Sequence, residues 1–391
     1  MRLATRMGRL GTETAFEVLA RARALEAQGR DIIHLEIGEP DFDTPENVIE
    51  AGCEALRGGW THYGPAAGQP ELRQAIADYV NRSRGTSFAP GQVVVTPGGK
   101  PIMFFVIMAL LEAGDEAIYP DPGFPIYRSM IDFVGAGAVP IPLREEKAFR
   151  LDVEELAGLV TPRTRLLILN SPANPTGGVL EREDLAAIAR LAVERDLIVL
   201  ADEIYSEILY EGEHISIATM PGMAERTIVL DGFSKTYAMT GWRLGYGLMP
   251  EELAGQVAKL MVNSVSCTSS AVQRAGLEAL TGPQDEVREM VEAFRRRRDL
   301  IVEGLNAIPG ISCVQPSGAF YVFPNITGTG MGSKAFADRL LEEHGVAALA
   351  GTSFGEQGEG YVRLSYANSE ENLAKALERI GAAARTTAGV A

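Results

Sequence analysis

The segment GFSKTYAMTGWRLGY, residues 232–246, places Lys235 and Arg243 eight residues apart in an otherwise uncharged run. Small and apolar neighbours indicate partial burial, and a buried ammonium group is costly unless it is paired or neutral. A desolvated lysine close to a second cation has a lowered pKa, so its free amine can condense with an aldehyde. The segment therefore predicts either a lysine with a distant ion-pair partner or a reactive lysine.

Three other polar turns follow short apolar runs: TPGGK after VVVT, NSPANPTGG after LLILN, and DEIY after LIVLA. In open parallel sheets, ligands bind beyond the carboxyl ends of the strands, so these turns and GFSKTY can converge on one site. With the segments that follow them, the site is expected to contain a lysine, a carboxylate, a tyrosine, an asparagine, a glycine-rich anion cradle and two arginines. A phosphorylated aldehyde such as pyridoxal phosphate uses both the amine and the cradle.

Short Val/Ile/Leu-rich runs alternate with helical patterns between residues 93 and 249. This alternation predicts an α/β fold with a mostly parallel sheet that helices cover on both faces. A large domain is expected over residues 50–280, and a smaller α/β domain over residues 1–49 and 281–391. Three short strands, GISCV, AFYVF and YVRLSY, are expected in the smaller domain, with helices at 15–28, 284–305, 334–344 and 370–383.

Composition limits the possible functions. The chain has 391 residues and a net charge of −16, which argues against a general affinity for nucleic acid or anionic membranes. Three isolated cysteines and four scattered histidines indicate neither a disulfide framework nor a metal cluster. The N-terminus lacks the apolar region of a signal peptide, and PIMFFVIMALL is too short to span a bilayer. A cytoplasmic enzyme that needs no metal is expected.

Two segments resemble nucleotide-binding motifs without matching them. GGKP lacks both the first glycine and the hydroxyl residue of a P-loop, because Val94 and Pro101 stand at those positions. In VGAGAVP, Pro140 replaces the third glycine of a dinucleotide fingerprint, and a strand rather than a helix follows. Neither nucleotide hydrolysis nor hydride transfer is supported.

Five segments in order, SPANPTG, ADEIY, GFSKTYAMTGWRLGY, PSGAFYVF and YVRLSYANSEENL, resemble those of class I/II aminotransferases of fold type I. The resemblance extends from GEPDFDTP at residues 38–45 to the C-terminal helix. It implies a pyridoxal 5'-phosphate enzyme with a seven-stranded sheet. It also implies a ping-pong transfer of the amino group from an L-amino acid to a 2-oxo acid such as 2-oxoglutarate.

The resemblance assigns the chemistry to four residues. Lys235 matches the lysine that holds the cofactor aldehyde covalently and then carries a proton to and from the substrate. Asp202 matches the carboxylate that pairs with the pyridine nitrogen and keeps the ring protonated. Asn174 and Tyr205 match the pair that forms hydrogen bonds to the phenolate oxygen of the ring.

The resemblance also implies a phosphate site. Gly98, Gly99 and Lys100 open the apolar helix, whose first N–H groups have no partner within the helix. Arg243 matches an arginine that adds a charge-assisted contact, and Ser234 supplies a hydroxyl. By the same resemblance, one cation of the opening segment is a covalent anchor and the other holds a phosphate.

Five further positions complete the implied site. Phe124 matches an aromatic residue that stacks on the cofactor. Arg363 matches the arginine that binds the substrate carboxylate, with the backbone at Ile37 and Gly38 closing over the same group. Tyr63 matches a tyrosine that reaches the cofactor phosphate of the neighbouring subunit, so a homodimer is implied.

Substrate choice stays open at this stage. In aspartate aminotransferase-like enzymes a lysine at the position of Lys100 can meet a distal carboxylate, but Lys100 is equally compatible with a surface role. The Ser and Thr pair of that group has no clear counterpart at Thr12 and Thr14 in GTETAF. An alanine, aromatic or broad-range aminotransferase is therefore an alternative, and so is a carbon–sulfur lyase of the same fold.

Overall fold

The computed structural model describes residues 1–385, so residues 386–391 of the predicted smaller domain lie outside the described part of the chain. Its strands are β1 (Ile33–His34), β2 (Val93–Thr96), β3 (Glu116–Asp121), β4 (Gly137–Pro142), β5 (Thr164–Asn170), β6 (Ile198–Asp202), β7 (Thr227–Gly232), β8 (Gly245–Leu248), β9 (Tyr321–Val322), β10 (Val346–Ala347), β11 (Leu349–Ala350) and β12 (Val362–Ser365).

The helices enclose the sheets and connect their strands. They are α1 (Thr14–Glu26), α2 (Glu46–Arg57), α3 (Pro70–Arg84), α4 (Lys100–Leu110), α5 (Ile126–Val134), α6 (Val153–Leu159), α7 (Arg182–Glu194), α8 (Phe233–Thr236), α9 (Glu251–Ser264), α10 (Ser270–Thr281), α11 (Asp285–Asn306), α12 (Ser333–Glu342) and α13 (Glu370–Arg385). None of the helices in residues 1–385 combines the length and apolar character needed to cross a membrane.

The central sheet has seven strands in the order β2-β8-β7-β6-β5-β3-β4. Strands β4, β3, β5, β6 and β7 pair in parallel, whereas β8 is antiparallel to both β7 and β2. The predicted mostly parallel sheet is therefore confirmed. Its apolar runs are continuous because helices cover both faces, and β2, β3 and β7 are buried along their whole length.

Helix α4 is the predicted buried helix in the segment PIMFFVIMALL. Its side chains Ile102, Met103, Phe105, Val106 and Ile107 are buried, and they belong to the apolar cluster between the sheet and α5 and α9. A helix that is apolar on nearly all sides is stable only inside a core. The N-terminus of α4 is thereby fixed just beyond the end of β2.

The smaller sheets contain two of the three predicted strands, together with β1, β10 and β11, which were not predicted. Strand β12 pairs with β9 and β11, and β1 pairs with β10, but GISCV forms only an isolated bridge between Ser312 and Asn325. The Asn306 side chain accounts for the difference, because it accepts from the Cys313 N–H at 2.9 Å and donates to the Cys313 carbonyl at 3.1 Å. With these groups occupied, the predicted strand does not form a ladder.

A buried ion cluster joins α3 to the ends of β6 and β7. The Arg84 guanidinium donates to Glu203 and to the Ser206 hydroxyl, each at 2.7 Å, and to Asp231. All of these side chains are buried. Glu203 follows Asp202 directly, and Asp231 lies four residues before Lys235, so the cluster fixes the strand ends that carry two of the predicted site residues.

Replacing Arg84 by methionine leaves two buried carboxylates without their cation. We expect the free energy of unfolding to fall by about 3–5 kcal/mol, the usual cost of breaking a buried ion pair from one side. Arg82→Met, an exposed change on the same helix, is expected to alter it by about 0.5 kcal/mol or less. Urea unfolding followed by circular dichroism measures both. Equal losses in the two variants would contradict a stabilising role for the cluster.

Candidate active site

The carboxyl ends of the parallel strands open onto a cleft of about 1000 Å³. Most of the predicted site residues line this cleft: Ile37, Gly38, Gly99, Lys100, Phe124, Asn174, Asp202, Tyr205, Ser234, Lys235, Arg243 and Arg363. They come from segments that are distant in sequence, and the sheet brings them together because its parallel strands end at one edge. Gly98 lies directly behind the wall formed by Gly99.

Lys235 lies on the short helix α8, which follows β7 immediately. Its amine donates to the Gly38 carbonyl. Burial lowers the pKa of Lys235 to about 8, and the nearby cations Arg363 and Lys100 act in the same direction while Glu39 opposes them. About a tenth of this amine is therefore neutral and nucleophilic at pH 7, against less than about one in a thousand for an ordinary lysine.

Asp202 ends β6 and is 8% exposed. Its carboxylate accepts hydrogen bonds from the Tyr127 hydroxyl at 2.6 Å and from the Ile204 N–H at 3.3 Å. Burial raises the pKa of Asp202 to about 6, although both hydrogen bonds act to lower it. Because this value is below 7, the group is mainly a carboxylate at neutral pH and can hold a cationic ring nitrogen.

The turn between β2 and α4 forms an anion cradle with Arg243. Gly98 has φ +88°, and a Cβ atom placed there would lie 2.1 Å from Nη2 of Arg243, so only glycine lets the guanidinium approach this turn. Arg243 itself has φ 53°, a rare conformation for a residue with a side chain, and its Nη1 donates to the Thr240 carbonyl at 2.8 Å. Ser234 also lines the cleft.

Arg363 on β12 is buried opposite this cradle. One Nη donates to Oδ1 of Asn174 at 3.1 Å and the other to the Glu36 carbonyl, whereas Nε is buried without a partner. The guanidinium lies between two rings, 4.5 Å from the Tyr321 centroid and 4.9 Å from that of Phe354. An incompletely paired guanidinium held in a plane suits a carboxylate ligand.

Tyr205 and Tyr321 form a hydroxyl pair beside Arg363, with 2.8 Å between their oxygens. Burial raises the pKa of both phenols, so both hydroxyls stay protonated at neutral pH. A Cβ at Gly38 would lie 2.1 Å from the Tyr321 hydroxyl oxygen, so the glycine permits this close contact. The pair can donate a hydrogen bond to an oxygen in the cleft.

At the outer end of the cleft, Lys100 forms an ion pair with Glu13, and its Nζ lies 5.4 Å from the centre of the Phe124 ring. Phe124 packs edge-on against Tyr127 at 5.6 Å. Tyr63 lies elsewhere: it is 89% exposed and does not line the cleft. Of the predicted positions, Tyr63 is therefore the one that the fold of a single chain leaves outside the site.

Three cleft residues had no role in the sequence analysis. Tyr127 follows Phe124 by three residues, but Phe124 precedes α5, so no helical spacing marked this tyrosine in advance. Tyr321 is part of PSGAFYVF, which matches the family without marking this tyrosine. Glu13 gave no signal, because its partner Lys100 is 87 residues away.

Lys235 gives a pH dependence that distinguishes it from an ordinary lysine. For cofactor-free protein mixed with pyridoxal 5'-phosphate, we expect the rate of adduct formation to rise with pH and to level off above about pH 8, where the amine is already neutral. Borohydride trapping and mass spectrometry at Lys235 measure that rate. The urea-unfolded chain is the control, and there the increase is expected to continue towards pH 10.5. The same continued increase in the folded protein would contradict the lowered pKa.

Nearly the whole chain is similar to proteins of one known family. The family model "Aminotransferase class I and II" matches residues 30–380. An arginine–pyruvate transaminase of Pseudomonas aeruginosa is 41% identical over 377 residues, which cover 96% of each chain. An aspartate/prephenate aminotransferase of Thermus thermophilus is 45% identical, over 96% of this chain and 97% of that one. The structure of an aspartate aminotransferase from Thermus thermophilus with maleate has a TM-score of 0.94 at 44% identity, covering 98% of this chain and all of that one.

The residues of the cleft fit pyridoxal 5'-phosphate. The Gly98 turn with Arg243 forms an anion cradle, Asp202 offers a buried carboxylate, and Lys235 has an amine that is easily neutralised. The relatives reported above are aminotransferases and do not favour a carbon–sulfur lyase. The chain belongs to the class I and II aminotransferase family, and it is a pyridoxal-phosphate-dependent enzyme that transfers amino groups between amino acids and 2-oxo acids.

Proposed function

We propose that this cleft transfers the amino group of an L-amino acid to a 2-oxo acid, with Lys235 as the covalent anchor and proton carrier. The observation that carries the proposal is the arrangement of three buried groups around one space. Lys235 supplies an amine that loses its proton more easily than an ordinary lysine, Asp202 supplies a carboxylate, and Arg363 has an unpaired Nε. These are the groups that covalent attachment, charge stabilisation and carboxylate binding require.

The chain's residues would hold the cofactor at both ends. The N–H groups of Gly99 and Lys100, at the start of α4, would bind the phosphate together with Arg243 and Ser234. At the other end, Asp202 would hold the ring nitrogen in its protonated form, with Tyr127 keeping the carboxylate oriented. When bound, the cofactor accepts the electron pair that is left when the substrate Cα loses its proton.

Asn174, Tyr205 and Phe124 would complete the contacts to the ring. The Tyr205 hydroxyl and the Asn174 amide would donate to its phenolate oxygen, and Phe124 would cover one face. Asn174 also accepts from Arg363, so the amide links the cofactor position to the substrate position. A change in one of these two contacts is therefore transmitted to the other.

Arg363 would bind the substrate carboxylate, assisted by the backbone at Ile37 and Gly38. This contact places the substrate Cα near Lys235, whose amine donates to the Gly38 carbonyl in the structure. Once its amine is free of the cofactor, Lys235 would take the proton from the substrate Cα. It would then deliver that proton to the carbon of the cofactor's aldehyde group. Its lowered pKa suits both directions of transfer, since it lies near the working pH.

We also propose two domains, residues 50–280 and residues 1–49 with 281–391, that approach each other when substrate binds, while residues 9–13 stay bonded to α5 and Lys100 of the first domain. Support comes from the placement of Arg363 and Gly38 in one part and Lys235 and Asp202 in the other. A cytoplasmic location is proposed because Cys53, Cys267 and Cys313 are free thiols.

A homodimer with shared sites is proposed from an exposed apolar surface around Tyr63. Leu56, Trp60, Tyr63 and Val265 are all more than 40% exposed. Ser270 donates to the His62 carbonyl at 2.8 Å, which places the two chain segments side by side. A single-chain surface of this kind indicates an interface, and its tyrosine is the one predicted site residue outside its own cleft.

The transfer is tested by absorbance of the protein loaded with pyridoxal 5'-phosphate. Adding an L-amino acid without an acceptor is expected to convert the visible band of the bound cofactor to a near-ultraviolet band, with one equivalent of 2-oxo acid released. Lys235→Ala is expected to slow this conversion by about 100-fold or more, whereas exposed Lys259→Ala is the matched control. Steady release of ammonia without an acceptor would identify a lyase, and no conversion with any amino acid would refute the proposal.

The shared site is tested with Tyr63→Phe, which keeps the ring and removes the hydroxyl. We expect the protein to sediment as a dimer in both forms and the variant to bind pyridoxal 5'-phosphate about tenfold more weakly, the loss of one charge-assisted hydrogen bond. Analytical ultracentrifugation and cofactor titration measure the two properties. A monomeric wild type, or unchanged affinity in a dimer, would contradict this role of Tyr63.

A further inference from the structure

The outer wall of the cleft contains an ion pair between two residues that are far apart in sequence. We call Glu13 and Lys100 the distal pair. Glu13 stands at the N-terminal end of α1, yet its side chain does not cap that helix. It crosses instead to Lys100, the first residue of α4, and both residues line the cleft. The carboxylate is therefore directed towards the cleft instead of stabilising its own helix.

The chain that precedes Glu13 is fastened to α5. Arg9 Nε donates to the Asp132 carbonyl at 2.7 Å, and its Nη2 donates to the Phe133 carbonyl at 3.0 Å. The Gly11 N–H donates to the Ser129 hydroxyl at 2.9 Å. These contacts hold the backbone two residues before Glu13, so its position follows from the fold.

Glu13 acts on the reacting groups as well as on Lys100. Burial lowers the pKa values of Lys235 and Arg363, and the Glu13 charge opposes that lowering in both cases. Glu13, Lys235 and Arg363 also line the same cleft. The Glu13 charge is therefore part of the environment that a substrate side chain meets.

The two members of the distal pair differ in their access to water. The Lys100 side chain is 48% exposed, whereas that of Glu13 is 17% exposed. Lys100 also has a long flexible stem and can turn its ammonium group into solvent at low cost. Glu13 is poorly hydrated, so losing its partner leaves it with a larger penalty.

Because of this difference, breaking the distal pair costs more when a ligand anion binds Lys100 than when a ligand cation binds Glu13. A ligand carboxylate that pairs with Lys100 removes the ion-pair partner of Glu13. It also places a second negative charge beside the Glu13 carboxylate, so both the lost pairing and the repulsion oppose binding. A ligand cation that takes Glu13 releases Lys100 to water, so every charge stays paired or hydrated. The wall therefore favours a cation over an anion, although a lysine stands at its entrance.

We propose that Glu13 is a specificity-determining residue that makes the cleft select amino acids whose side chain ends in a cation over dicarboxylic amino acids. The proposal rests on the proposed function of the cleft, because it concerns the side chain of the substrate that Arg363 and Lys235 position. It assigns Lys100 to charge compensation of Glu13 instead of to a substrate carboxylate. The same constraint disfavours 2-oxoglutarate as the acceptor relative to a 2-oxo acid without a second carboxylate.

Ligands that cannot be transaminated test this proposal separately from catalysis. Calorimetry of the cofactor-loaded protein with 5-guanidinopentanoate, hexanoate and succinate compares a distal cation, a neutral chain and a distal anion. For Glu13→Gln, we expect 5-guanidinopentanoate to bind about tenfold more weakly and succinate about tenfold more tightly, since one charge-assisted contact is lost and one repulsion is removed. Hexanoate is expected to change by less than about threefold, because neither effect concerns a neutral chain.

Two further variants keep the result interpretable. Glu17→Gln, an exposed change one turn further along α1, is expected to leave all three affinities unchanged, and equal thermal unfolding of the variants confirms that they are folded. Lys100→Met is expected to leave 5-guanidinopentanoate binding intact or stronger. Unchanged selectivity in Glu13→Gln, or a tenfold loss of 5-guanidinopentanoate binding in Lys100→Met, would overturn the proposal. If the proposed transfer reaction itself fails, the absorbance experiment shows it while these affinities still report on Glu13.

Discussion

The active site depends on a buried ion cluster that holds two strand ends in register. Arg84 at the end of α3 forms ion pairs with Glu203 and Asp231. Glu203 follows Asp202 at the end of β6, and Asp231 lies on β7, four residues before Lys235. Buried carboxylates without a cation are strongly unfavourable, so the cluster forms as a unit or not at all. Because the cofactor must meet Asp202 and Lys235 at once, the spacing of these strands sets the geometry of the chemistry.

Burial then supplies the reactivity. The same desolvation that lowers the pKa of Lys235 to about 8 raises that of Asp202 to about 6, so both groups titrate closer to neutral pH than they do in water. Their charges remain useful: the amine becomes available as a nucleophile while the acid stays mainly ionised. Arg363 keeps an unpaired Nε in the same buried setting, which suits the carboxylate-binding role proposed for it.

Specificity has a different origin from chemistry in this protein. The groups proposed to react lie at the end of β6, on α8 and on β12, whereas the distal pair joins the N-terminal segment to the start of α4. A single substitution at Glu13 can alter the charge of the outer wall without moving the sheet.

The sequence by itself determined the α/β alternation, the apolar helix α4 and the contiguous segments that carry Lys235, Asp202 and Arg363, because these follow from local periodicity and contiguous motifs. It did not determine that GISCV is only a bridge, since the side chain of Asn306 competes for the Cys313 backbone. It also gave no indication of the Tyr127 hydrogen bond to Asp202 or of the pairing of Glu13 with Lys100. Tertiary structure decided these contacts, because they join residues 75 and 87 positions apart whose charges and hydroxyls find partners only when the elements pack.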